Sequence, residues 1–191
     1  MEPLTPRFRH KPSFVAARSA AESIRRQLKL DDTPFPIGLV LGTGWGDTLP
    51  LTDAREISFT EIPGFNDLGE LEGHRRTVVC GRLDGTPVVA LRGRVHLNES
   101  PVDPAIYQMV RLQTEMLIHL GVKTLVLTCA AGSLTNEVEV GDIVFVNGFV
   151  TVFAPPMPLH AGEFVSPDNV LDHHLTHFVR ARVTDSTSSL T

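Results

Sequence analysis

Cysteine is scarce in this chain of 191 residues: there are two, Cys80 and Cys129, and they form no Cys-x-x-Cys pair. Each lies in an apolar run, so both read as buried, unpaired thiols, which suits a reducing, cytoplasmic setting. Excess positive charge is also missing. Seventeen Lys and Arg face 22 Asp and Glu, a formal charge of −5. That removes any electrostatic case for nucleic acid or an anionic membrane as partner, and an anion bound here must be held by a local site. No stretch approaches the ~18 uninterrupted apolar residues of a transmembrane helix. The first 30 residues carry charges throughout and lack the apolar core of a signal peptide. No internal repeat is present. What remains, 42% hydrophobic and 20% charged residues, is the balance of a globular domain with one sizeable core.

Met1–Lys11 is polar and proline-containing and reads as a loose arm. Pro12 and Ser13 then open a helix whose face is Phe14, Ala17, Ala21, Ile24 and Leu28, with Arg25, Arg26 and Lys29 near its C-terminal end. Ile37–Leu41 is a short apolar run between Pro36 and Gly42, which predicts a buried strand. Thr77–Cys80 and Pro87–Leu91 are two more strand-like runs, and Asp84-Gly85 between them is a hairpin signal. Asp103-Pro104 predicts a helix start. Ile106, Met109, Val110, Gln113, Leu117 and Leu120 mark its inner face, and Gly121 its stop. Thr124–Thr128 predicts another buried strand, and Gly141-Asp142 turns into a further one at Ile143–Val146. Strands and helices interleave, so the fold class is α/β with a mixed central sheet flanked by helices. A helix is expected over Asp168–Val183. The domain is expected over residues 12–183, with a Ser/Thr-rich disordered tail over 184–191.

Three segments end strands with groups suited to an anion. Gly42-Thr43-Gly44 can turn tightly, aim backbone N–H groups at a ligand and add a hydroxyl. A dinucleotide fingerprint would need glycine at Asp47, so that reading fails, and a plain tight turn stays open. Arg92-Gly93-Arg94-Val95-His96 places Arg92, Arg94 and His96 on one side if the chain is extended, an oxyanion clamp or a solvated edge strand. Cys129-Ala130-Ala131-Gly132 lets backbone N–H groups approach a ligand, or lets helices pack closely. His173, His174 and His177 lack the carboxylate spacing of a metal site and read as a solvated helix or tail. Trp45 reads as a packing residue, and His160 and Glu163 as structural or solvent-facing.

Taken in order, Gly42-Thr43-Gly44, Gly73-His74, Gly93-Arg94-Val95-His96 with Glu99, Thr128-Cys129-Ala130-Ala131-Gly132 and Glu139-Val140-Gly141-Asp142-Ile143 resemble the trimeric purine nucleoside phosphorylases. Ile62-Pro63-Gly64-Phe65 is similar to a further motif of that family, and the likeness runs from about Pro36 to Val146. The resemblance implies a phosphorylase-type sheet and phosphorolysis of purine nucleosides to free base and (deoxy)ribose 1-phosphate. It implies phosphate contacts from Thr43, His74, Arg94, His96 and Ala130. His96 and Glu99 become the catalytic pair, Glu99 orienting His96, which tunes phosphate protonation. Asn98, Ala131 and Gly132 become the nucleoside contacts. Inorganic phosphate is the co-substrate, no metal or other cofactor is implied, and the expected assembly is a homotrimer, with Phe153 or Phe164 as candidates for a ring inserted into a neighbour's site.

The sequence also departs from that family. Asn98 stands where the family carries Tyr against the ribose, Cys129 where it carries Asn, and Gly148-Phe149-Val150-Thr151 replaces its Asp-His-Ile-Asn. The family's base-reading residues and last strands lie further along the chain, so the expectation is a truncated, N-terminal portion with an incomplete sheet and an unpaired edge. An inactive homologue that retains phosphate binding, or a pure interaction domain, is the alternative.

Overall fold

The structure, a computed structural model, describes residues 12–65, 68, 75–100, 102–149 and 170–188. The chain forms two compact units, Met1–Ala131 and Gly132–Thr191. The first opens with helix α1, Pro12–Gln27, whose Ala17, Ala20, Ala21 and Ile24 are buried where the helical spacing predicts. Strand β1, Ile37–Leu41, follows; then β2, Thr52–Ser58; β3, Thr77–Leu83; β4, Thr86–Arg92; helix α2, Pro104–His119; and β5, Thr124–Leu127.

The five strands make one mixed sheet in the order β2-β3-β4-β1-β5. Strands β2, β3 and β4 form an antiparallel meander, and β1 runs parallel to both β4 and β5. Asp84 and Gly85 join β3 to β4 with φ of 48° and 80°, both left-handed, as a two-residue type I′ hairpin turn requires. Because β1, β4 and β5 are parallel, Leu41, Arg92 and Leu127 all finish at the same end of the sheet, where α/β proteins place their ligands.

Helix α2 begins as its sequence predicts. The Asp103 carboxylate accepts the Ala105 N–H at 2.8 Å, and Pro104 occupies the first turn. Its inner face, Met109, Leu112, Gln113, Met116 and Leu117, packs with α1 over the sheet. The loop after β2 adds Phe59, Ile62 and Phe65, all fully buried, with the two rings 4.8 Å apart in a tilted pair. The Ile62–Phe65 motif is therefore core packing. Cys80 on β3 is buried, and burial pushes its thiol up to about 12.

Two expectations need correction, and one strand was not expected at all. Cys129 is exposed: it lies past the last paired residue of β5, where the sheet no longer covers it. Ile143–Val146 follows the expected turn, in which the Asp142 carboxylate accepts the Glu139 N–H at 2.8 Å. It is not a strand, however. It has no ladder partner among the described residues, its Ile143, Val144 and Val146 are exposed, and an extended apolar run without a partner strand does not make a sheet. The strand not expected is β2, Thr52–Ser58. Of its seven residues only Ile57 is buried, so the polar edge strand carries no apolar alternation. The open edge itself is as expected. Among the described residues strand β5 ends the sheet, and its Leu127 is 63% exposed.

In the second unit, helix α3 spans His173–Ser188. Asp172 caps it, accepting the Leu175 N–H at 2.9 Å, so the helix starts at His173, later than the expected Asp168. It runs on into the Ser/Thr-rich end. Phe153, His160, Glu163 and Phe164 lie outside the described residues. No helix among the described residues is long and apolar enough to cross a membrane.

Candidate functional site

The ends of β1, β4 and β5 are stitched together before any ligand is considered. Thr128 is the stitch. Its N–H donates to the Val40 carbonyl at 2.9 Å, and its hydroxyl accepts the Gly42 N–H at 2.9 Å. Gly42 admits this approach because a Cβ there would lie 2.5 Å from the Thr128 carbonyl oxygen. The chain then turns through Thr43–Thr48, closed by the Trp45 N–H on the Gly42 carbonyl and the Thr48 N–H on the Trp45 carbonyl. Trp45 is 44% exposed, so it is not the packing residue it was expected to be. The turn that carries it stands clear of the core.

The chain leaves β4 differently. Gly93 has φ of 82°, and a Cβ there would sit 2.0 Å from the Arg75 carbonyl oxygen, so only glycine fits. This kink corrects the expectation that Arg92, Arg94 and His96 share one face of an extended strand: the strand ends at Arg92. The side chain of Arg92 donates to the Glu56 carboxylate at 3.1 Å across the sheet. Beyond the kink, Val95 is buried, and the amide of Gln113 grips its backbone on both sides. The Val95 N–H donates to the Gln113 amide oxygen at 2.9 Å, and the Gln113 amide nitrogen donates to the Val95 carbonyl at 3.1 Å. Arg94 and His96, on either side of Val95, are thereby fixed to helix α2.

Leu97–Glu99 is a single 3-10 turn. The Glu99 carboxylate accepts the His96 backbone N–H at 2.7 Å and pairs with the Arg76 guanidinium at 2.6 Å. Glu99 thus acts on His96 through the backbone. Both members of this ion pair are largely buried, with side chains 8% and 13% exposed.

These loops enclose a cleft of about 760 Å³, whose wall includes Thr43, Arg75, Arg92, Arg94, His96 and Ala130. Four of the five expected phosphate contacts therefore meet in one place: Thr43, Arg94, His96 and Ala130. The fifth, His74, lies outside the described residues. Asn98 is exposed on the 3-10 turn and Ala131 is exposed past Ala130; neither is on the cleft wall. Gly132 falls in the second unit. Cys129 is on the wall.

The three guanidiniums of the wall are not equivalent. Arg92 is paired with Glu56, and Arg75 with Asp47 at 3.3 Å. Arg94 donates to the Thr128 carbonyl at 3.4 Å and forms no ion pair among the described residues. It is the fixed positive charge left for an incoming anion. Among the described residues no group of three or more His, Cys, Asp or Glu could hold a metal ion.

Sequence reading missed two residues that build this site. Gln113 falls on the predicted inner face of the helix, and a glutamine among leucines and methionines there signals a polar partner waiting in the core. Arg76 was passed over. Its signal was the Arg75-Arg76 pair directly before an apolar strand, where alternation must send one of two cations inward.

The pattern of the Phosphorylase superfamily matches residues 36–187. The chain is 32% identical over 135 residues to purine nucleoside phosphorylase 1 of Geobacillus stearothermophilus, covering 70% of this chain and 47% of that protein. Among solved structures, it resembles the purine nucleoside phosphorylase of Schistosoma mansoni in complex with adenosine. The TM-score is 0.54 and the identity 29%, over 66% of this chain and 41% of that one. Isoform 2 from the same organism, in complex with cytosine and ribose-1-phosphate, gives a TM-score of 0.72 at 24% identity over 91% and 61% of the two chains, a likeness of fold. The chain spans about half or less of the length of such curated relatives as the purine nucleoside phosphorylases of Geobacillus stearothermophilus, Bacillus subtilis and Bos taurus.

Proposed function

The chain belongs to the Phosphorylase superfamily, and from that premise we propose that its cleft holds inorganic phosphate for the phosphorolysis of purine nucleosides, giving free purine and (deoxy)ribose 1-phosphate. The observation that carries this reading is the meeting of Thr43, Arg94, His96 and Ala130 in one cleft at the C-terminal ends of three parallel strands, with Arg94 committed to no carboxylate among the described residues. Phosphate is the nucleophile in this reaction. It must be held desolvated and aimed at the anomeric carbon, while the C1′–N9 bond breaks and its electron pair leaves with the base. The sugar passes through an oxocarbenium-like state, which the bound phosphate dianion stabilises. Arg94 supplies fixed charge, Thr43 a hydroxyl donor, and His96 a proton exchanger held in place through Glu99 and Gln113. His74 adds a fifth contact on this reading, Asn98 meets a ribose hydroxyl, and Ala131 and Gly132 lie beside the nucleoside.

The same reading takes phosphate as the one co-substrate, with no metal or other cofactor. It places the protein in purine salvage in the cytoplasm, as a homotrimer, with no nucleic-acid or membrane partner. The test is phosphate-dependent release of hypoxanthine from inosine by the purified chain. Release that requires phosphate and falls at least about tenfold in Arg94→Ala supports the proposal, since one charge-assisted contact is worth ~1.5–3 kcal/mol. No release, with phosphate still bound, would leave a phosphate-binding homologue in place of an enzyme.

A further inference from the structure

A buried carboxylate just behind the wall of an anion site is a problem, even though Glu99 itself does not line the cleft. Glu99 is largely buried, and it is joined to His96, which lines the cleft. In a partly desolvated site, its negative charge would oppose a phosphate dianion more strongly than it could in water. Three observations show how the fold meets this. The Arg76 side chain is 8% exposed, and its guanidinium lies 2.6 Å from the second Glu99 oxygen, leaving the first free to hold the His96 N–H. The Arg76 carbonyl accepts the Phe59 N–H at 2.8 Å, which ties it to the buried aromatic pair. The Arg75 carbonyl is seated against Gly93 so closely that no side chain fits there, which interlocks the start of β3 with the turn carrying Arg94 and His96.

Resting on the reading of the cleft as a phosphate site, we propose that Arg76 is a positioning residue of that site: it cancels the charge of Glu99 and fixes the turn bearing His96, so that the charge of Arg94 remains available to phosphate. Arg76 is not on the cleft wall and needs no contact with the ligand. Its action is through Glu99. A buried pair of this kind tolerates the loss of both charges better than the loss of one, because the survivor is left desolvated and uncompensated.

The experiment is titration of the full chain with inorganic phosphate at neutral pH, followed calorimetrically. Arg76→Met is expected to weaken phosphate at least about tenfold, a bare carboxylate beside an anion costing of order one pKa unit or more. Adding Glu99→Gln, which keeps an acceptor for the His96 N–H but removes the charge, is expected to recover at least about fivefold of that loss. Arg76→Lys, which keeps the charge but not the fork, should stay within about threefold of the parent chain. Unchanged affinity in Arg76→Met overturns the proposal, and so does a double variant no tighter than Arg76→Met, which would make the role of Arg76 purely structural. Should Arg76→Met not fold, the double variant and Arg76→Lys decide: a double variant more than about tenfold weaker than Arg76→Lys overturns the proposal, and a smaller gap supports it. Failure of the underlying reading looks different: the parent chain binds no phosphate, or Arg94→Ala binds it as tightly as the parent.

Discussion

The two turns that face each other across the cleft are built in opposite ways. The turn after β4, Gly93–Glu99, is bolted from beneath. Gln113 holds both sides of Val95, Glu99 holds His96 and Arg76, and Gly93 lies against the backbone of Arg75. The turn after β1, Gly42–Thr48, is closed by its own backbone, stitched at its root by Thr128, and reaches across the cleft through one solvated pair, Asp47 with Arg75, whose side chains are 83% and 68% exposed. The difference assigns them different work. On the proposed reading, charge that must be aimed at an anion is carried by the bolted turn, and the other turn contributes a hydroxyl and backbone. The cross-cleft tie of that second turn is the kind that water and salt weaken.

If that contrast is right, substitutions in the two turns should differ sharply in cost. The largest effect is expected at Gly93. Alanine there meets both a left-handed φ and the Arg75 carbonyl, so Gly93→Ala should lose at least ~3 kcal/mol of stability in urea unfolding, or fail to accumulate folded. Next is Gln113→Leu, which fills similar volume but strands a buried N–H and a buried carbonyl at Val95. It should cost ~2–4 kcal/mol by the same measurement, with phosphate affinity falling alongside. The smallest is Asp47→Ala. It removes the solvated pair and should change stability by no more than ~0.5 kcal/mol, with any effect on phosphate affinity shrinking as salt is raised. A loss at Asp47 as large as that at Gln113 would dissolve the contrast.

Much of this was legible in the sequence, and particular residues show why. Asp103-Pro104, Asp84-Gly85 and the run Ile37–Leu41 each carry local chemistry strong enough to fix a cap, a turn and a buried strand, and the structure forms all three. Strand β2 was invisible because an edge strand with one buried side chain has no alternation to read. Ile143–Val146 misled for the converse reason: apolar residues state a preference for burial but cannot supply the neighbour a strand requires. At the site, Thr43, Arg94, His96 and Ala130 of the ordered motifs line one cleft. Gln113 and Arg76 were hidden because their roles depend on contacts 18 and 23 residues away in sequence.

The claim on which the rest depends is that Arg94 is the charge that holds phosphate. It is tested most directly by titrating the parent chain and Arg94→Ala with inorganic phosphate under identical salt. We expect saturable binding in the parent and a loss of at least about tenfold in the variant, with the fold intact by circular dichroism. Equal affinity in the two chains would contradict the account.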